Sequence, residues 1–184
     1  PDISNPFFAE LAYQLEKSAF LAGKILLLGD TAESPEREAA VIENLLQTQV
    51  DGLIYVGVGS HGPLQRVIES QTPVVVLDRT ESELTAHAIV IDNAAAAARA
   101  THHLITHGYE RVDTIAGPES TSTGRLRTQG WEQALQTAGL DPQVSRLVRA
   151  PFTREGGATA AAELLSQAER PKALFVASEQ QALG

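Results

Sequence analysis

The sequence has neither cysteine nor methionine among its 184 residues. Without a thiol, no disulfide framework and no thiolate metal site can form, which fits a cytoplasmic protein. With Pro1 first and Ala182-Leu183-Gly184 ending in what reads as a helix start, the chain is expected to be a piece of a longer protein, trimmed at both ends. Positive charge is scarce: 14 Lys and Arg stand against 23 Asp and Glu, a formal net charge of −9. An acidic surface repels phosphate backbones, so this segment is not a nucleic-acid-binding surface by itself. No apolar run approaches the ~20 residues of a membrane span, and no basic-then-apolar leader opens the chain. No sequence repeats, and the only biased run is Ala94 to Ala98, which favours helix.

What is present is a rhythm. Asn5 caps and Pro6 opens a helix to about Leu21 that buries Phe8, Leu11, Leu15 and Phe20. Lys24 to Leu28 reads as a buried strand, and Ser34 caps a second helix from Pro35 to Thr48. Gly52–Val56 and Pro73–Leu77 are strands around a short helix, Pro63–Ser70, and Ala88–Ile91 is a further strand. Then come a helix from Ala94 to His107 ended by Gly108, and a strand from Arg111 to Ala116. A loop leads to a helix ended by Gly139, followed by a strand from Ser145 to Ala150, a helix from Phe152 to about Gln167 and a last strand, Lys172–Ala177. Strand–helix alternation with short, continuously apolar strands implies parallel sheets covered on both faces. The expected fold is α/β, two doubly wound parallel-sheet lobes, with residues 1–92 as the N-terminal lobe and 93–184 as the C-terminal lobe, joined by a crossing strand near Asp92-Asn93.

In open parallel sheets, ligands bind beyond the carboxyl ends of the strands. The richest such loop runs from Gly117 to Trp131, with Arg125 and Arg127 two apart on a helix and hence aimed differently; one can reach a ligand while the other anchors its surroundings. Ser120, Thr121, Ser122 and Thr123 can each instead be a plain N-cap. Other strand ends display Phe7 and Phe8, Asp78 and Arg79, Asp92 and Asn93, Phe152, and Ser178 and Glu179. Aromatic faces mixed with carboxylate, amide, hydroxyl and guanidinium groups suit a small polyol, whose C–H faces stack and whose hydroxyls need planar partners. Each group also has a plainer role: one of Phe7 and Phe8 as core, Asp78-Arg79 as a surface ion pair, Asp92 and Asn93 as caps, Phe152 as packing.

Other chemistries find no footing. His103 and His107 are four apart, a metal-binding spacing, but a solvated helix face explains them. Gly117 to Gly124 lacks the Gly-Lys-Ser/Thr of a phosphate loop, and no Gly-x-Ser-x-Gly elbow occurs. No catalytic residues, metal ligands or cofactor are expected, and an enzyme on this scaffold is the weaker rival.

Several stretches, in order, resemble the effector-binding core of the LacI/GalR repressor family, which shares its fold with periplasmic sugar-binding proteins (type I). They are Pro1 to Phe8, Val50 to Ile54, Pro73 to Arg79, Val90 to Asn93, His107 to Arg111, the loop through Gly130-Trp131, and Ala173 to Gly184. The resemblance implies a ligand-responsive transcriptional repressor, its lobes hinged by three crossovers. It would bind operator DNA through an N-terminal helix-turn-helix domain outside this chain and act as a homodimer, with a small sugar-like effector altering lobe geometry. A periplasmic sugar-binding protein of a transporter is the alternative. By position, the resemblance gives effector contacts at Phe7, Phe8, Asp78, Arg79, Thr123, Arg125, Arg127, Phe152 and Ser178. Thr121 stands where purine-type repressors carry arginine, which argues against a purine, and Glu179 stands where Asp is usual.

Overall fold

A computed structural model describes residues 1–59, 61–80 and 86–184. The chain divides into two compact units, Pro1–Val90 and Ile91–Gly184.

In the first unit, helix α1 (Pro6–Leu21) starts where the sequence places it, with Pro6 in the first turn and the Asn5 side chain accepting from Phe7 N–H. Helix α2 (Pro35–Gln47) repeats the device with Ser34 as cap. Strand β1 (Leu53–Tyr55), helix α3 (His61–Glu69), strand β2 (Val74–Leu77) and strand β3 (His87–Ile89) follow. The three strands form one parallel sheet in the order β1-β2-β3. Its core joins Ile42 of α2, Leu53 and Tyr55 of β1, Leu64 and Val67 of α3, and Val76 of β2. Glu38 is buried here, 1% exposed, and its Oε1 accepts from the Tyr55 hydroxyl at 3.0 Å and from Val58 N–H at 2.9 Å.

Two expectations fail in this unit. Lys24 to Leu28 forms no strand; Ile25 is 90% exposed, and an apolar groove of about 870 Å³ lies between this segment and β1, floored by Val41, Ile42 and Leu45. An apolar run signals burial, but a strand also needs a hydrogen-bonded neighbour, and periodicity is silent on that. Phe20 is 74% exposed rather than core, because at about 100° per residue it stands off the inward stripe through Phe8, Leu11 and Leu15.

The second unit contains α4 (Asn93–Thr106), β4 (Asp113–Ala116), α5 (Ser122–Thr137), a single 3₁₀ turn (Pro142–Val144), β5 (Leu147–Arg149), α6 (Arg154–Leu165), β6 (Leu174–Val176) and the one-turn helix α7 (Glu179–Ala182). Its sheet is parallel with order β5-β4-β6, so the chain reverses direction across the sheet at β4. Both faces are covered. Trp131 and Leu135 of α5 pack with Val112 and Ala173 in one cluster, and Ala160 and Leu164 of α6 with Ile115 and Ala150 in the other. The alanine-rich α4 lies close against α5. A Cβ on Gly130 would sit 2.1 Å from the Ala94 carbonyl oxygen, so only glycine permits this approach. At the amino end of β4, Asp113 is fully buried and accepts from Arg111 Nε and Nη2, each at 2.8 Å, and from Arg146 N–H at 3.0 Å. Burial pushes its carboxyl up, but the Arg111 and Arg146 hydrogen bonds and charges outweigh that and hold it below the usual carboxylate range.

Candidate functional site

At the carboxyl end of β2, Asp78 takes a left-handed backbone (φ 61°), which a β-branched residue would resist and Asp tolerates. The turn is tight, with Arg79 N–H donating to Leu77 O at 2.6 Å and Asp78 N–H to Ile89 O at 3.0 Å. It sends the Arg79 side chain inward, leaving the residue 5% exposed. There Nη1 donates to Glu33 Oε2 at 2.6 Å and to Gly57 O at 3.0 Å, and Nη2 donates to Glu33 Oε1 at 2.9 Å. Glu33 is delivered by a loop in which both Ala32 (φ 45°) and Glu33 (φ 57°) are left-handed. The Arg79 guanidinium carbon also lies 5.7 Å from the Phe8 ring centroid, a cation–π contact. Phe8 is 7% exposed and Phe7 54%, their rings edge to face at 5.1 Å. The two phenylalanines thus divide into one packed ring and one presented ring.

In the second unit the loop after β4 winds tightly into α5. Thr121 is the N-cap: its Oγ1 accepts from Gly124 N–H at 3.1 Å and donates to Pro118 O at 3.0 Å. Ser122 and Thr123 are buried, and the Thr123 hydroxyl donates to Thr121 Oγ1 at 3.4 Å. The two arginines part as their spacing requires. Arg125 is exposed and turns back to the Glu119 carbonyl at 2.9 Å, anchoring the loop. Arg127 points the other way, donating from Nε to Asn93 Oδ1 at 2.8 Å and from Nη1 to Ala177 O at 2.7 Å. Its guanidinium carbon is 5.8 Å from the Phe152 ring centroid. Phe152, half-buried, lies so close to Gly117 that a Cβ there would overlap the ring. Arg149 fastens the loop from below, with Nη1 donating to Gly117 O at 3.0 Å and Nη2 paired with Glu119. Ser178 caps α7, accepting from Gln181 N–H at 3.3 Å; the buried Gln181 amide donates to Ala116 O at 3.2 Å and Ala150 O at 2.9 Å, tying the ends of β4 and β5 to α7.

Phe8, Asp78 and Arg79 therefore gather at one end of the first sheet, and Thr123, Arg127, Phe152 and Ser178 at the carboxyl ends of the second. Sequence reading left out Glu33, Arg149 and Gln181, which hold these groups from behind. No local pattern marks them, because each partner is many residues away. Asn93 carried a signal: two adjacent capping residue types precede α4, and one suffices. His103 and His107, exposed at the C-terminal end of α4, have ring centroids 4.3 Å apart with the rings tilted by 52°. Among the described residues, no group of three or more His, Asp or Glu could hold a metal ion.

Two α/β units, each a parallel sheet whose carboxyl ends carry an arginine laid on a phenylalanine, make up the architecture of a two-unit binding protein. The chain belongs to the family of periplasmic binding proteins and sugar-binding domains of LacI regulators, which it matches over residues 1–184. It is 36% identical to the HTH-type transcriptional repressor CytR of Escherichia coli (strain K12), across 100% of this chain and 54% of that protein. With the ribose operon repressor of the same organism the identity is 31%, over 98% and 56%. Among solved structures it is similar to the CelR–cellobiose complex, a transcriptional regulator (29% identity, TM-score 0.82, 96% of this chain and 54% of that one). It shares the fold of the Cra dual regulator of Pseudomonas putida in complex with fructose 1-phosphate (22% identity, TM-score 0.91, 100% and 68%). The chain spans about half the length of the curated relatives it matches. No helix among the described residues is long and apolar enough to cross a membrane.

Proposed function

We propose that this chain is the effector-sensing core of a LacI-family transcriptional repressor, a non-enzymatic sensor of a small sugar or related metabolite. The observation that carries the reading is Arg127, a guanidinium held in one plane by Asn93 and Ala177 and laid against Phe152 at the carboxyl ends of the second sheet. A planar donor beside an aromatic face is what a sugar ring and its hydroxyls require. Arg125, turned to Glu119, and Arg79, clasped by Glu33, serve in this reading as supports rather than direct contacts. Phe7, Phe152, Asp78, Thr123 and Ser178 remain the effector-facing groups, with Phe8 behind Phe7.

The regulators among its relatives favour this over a transporter's solute-binding protein. The whole protein would be cytoplasmic, would bind operator DNA through a helix-turn-helix domain, and would act as a homodimer. Effector binding can change DNA affinity only if it favours one conformation over another. The test is calorimetric titration against pentoses, hexoses, sugar phosphates and purines, including D-ribose, cellobiose and fructose 1-phosphate. Arg127→Ala should weaken binding of the responding sugar by about 1.5–3 kcal/mol, the range for a hydrogen bond to a charged group. No response across the panel, or an affinity indifferent to Arg127→Ala, refutes the reading.

A further inference from the structure

Two adjacent residues could each cap α4, and they divide the work. Asp92, exposed, accepts from Ala95 N–H through Oδ1 at 2.9 Å and is the cap. Asn93, the next residue, is 1% exposed, and its carboxamide is used at both ends. Oδ1 accepts from Arg127 Nε at 2.8 Å, and Nδ2 donates to Ile91 O at 3.3 Å. A guanidinium can only donate and a carbonyl can only accept, so the partners fix which way the amide faces. Ile91 is the first residue of the second unit, so one amide ties the start of that unit to the arginine.

Arg127 donates from Nε to Asn93 and from Nη1 to Ala177 O, 2.7 Å away. Anchors on different atoms set the plane of a guanidinium, and the one at Nε acts where the group joins its flexible stem. We propose that Asn93 is the positioning residue for Arg127, holding the guanidinium plane in the orientation that meets the effector. This rests on the reading of Arg127 as an effector contact. The position is selective: aspartate keeps an acceptor for Nε, while leucine offers similar bulk with no acceptor. A long, flexible side chain held in its working orientation before binding loses less freedom when the ligand arrives.

The test uses the full-length protein, ¹⁵N-labelled, and follows the Arg127 Nε–H resonance, assigned by its loss in Arg127→Lys. The resonance should be sharp and slow to exchange in the wild type and in Asn93→Asp, and broadened or lost in Asn93→Leu while backbone amides of α4 and α5 keep their protection. Should Asn93→Leu fail to fold, Asn93→Ala carries the same comparison. In titrations with D-ribose, cellobiose and fructose 1-phosphate, Asn93→Leu should weaken binding about tenfold or more. The double variant with Arg127→Lys should bind no worse than Arg127→Lys alone, because both changes remove one interaction. A protected Nε–H in Asn93→Leu, or losses that multiply in the double variant, overturns the proposal. If the resonance depends on Asn93 but no titration depends on Arg127, the positioning holds and the effector reading is what fails.

Discussion

Gly130→Ala sets two rules of helix stability against each other. In an open helix, alanine in place of glycine is stabilising by about 1 kcal/mol, because glycine loses more backbone freedom on folding. Gly130 is not open: the added Cβ would meet the Ala94 carbonyl oxygen at 2.1 Å, its carbon at 2.9 Å and the Ala97 Cβ at 3.0 Å. Two of the three obstacles are backbone and cannot rotate away. To bring the shortest contact to 3.0 Å, α4 and α5 must part by nearly 1 Å along that line. Overpacking of this kind costs about 1–3 kcal/mol, here at the upper end because the obstacle is rigid. Set against the propensity gain, the net expectation is a destabilisation of about 2 kcal/mol, or a fall in Tm of about 4–8 °C for a chain of this size. Trp131 reports the transition directly: it is the only tryptophan, is 2% exposed, and donates from Nε1 to Val112 O at 2.9 Å. Gly62→Ala is the control, since among the described residues a Cβ there meets nothing within 4 Å, and it should be neutral or stabilising by up to about 1 kcal/mol. If Gly130→Ala melts at or above the wild type, α4 and α5 are not packed as described. The same separation draws Asn93 away from Arg127, so the substitution should also weaken effector binding without touching either residue.

Asp113→Asn should destabilise by about 1.5–3 kcal/mol at neutral pH, since it removes the charge that the Arg111 guanidinium answers, while Arg111 itself, partly exposed, keeps Glu169. Because the folded carboxyl titrates below its unfolded value, its contribution is present above about pH 4 and is lost as pH falls through the folded pKa. Urea midpoints should therefore fall on acidification more steeply in the wild type than in the variant, and parallel slopes would refute the linkage. Tyr55→Phe removes a donor to the buried Glu38 carboxylate and should cost about 1.5–3 kcal/mol in chemical unfolding; an unchanged midpoint would mean the 3.0 Å bond contributes nothing. Thr121→Ala deletes the cap of α5 and should cost about 1 kcal/mol, whereas wild-type stability would show that the Gly124 N–H finds water equally well.

Elements set by local chemistry were legible in the sequence. Asn5 with Pro6, Ser34 with Pro35, and Gly108 and Gly139 with positive φ mark helix ends where their backbone preferences require them. The opposed directions of Arg125 and Arg127 also followed from helical spacing alone. What local chemistry does not encode is the partner. Lys24 to Leu28 has the composition of a strand and no ladder. Arg79 reads as a ligand contact or a surface pair with Asp78, and nothing near it in sequence points to Glu33, forty-six positions earlier, which clasps it. Asn93 and Arg127 are separated by thirty-four residues, and nothing in either neighbourhood announces the other.

Two arginines share one arrangement. Each guanidinium lies on a phenylalanine, at 5.7 Å for Arg79 on Phe8 and 5.8 Å for Arg127 on Phe152. The holders differ in kind. Arg79 is gripped bidentately by the Glu33 carboxylate and is nearly sealed from solvent. Arg127 donates to an amide oxygen and to a main-chain carbonyl, dipoles that orient a guanidinium. Asn93→Asp keeps an acceptor for Arg127 Nε but turns an oxygen to the place where Nδ2 donates to Ile91 O, whereas Asn93→Leu loses both the anchor on Arg127 and the tie to Ile91. A binding series across Asn93, Asp and Leu would measure them apart.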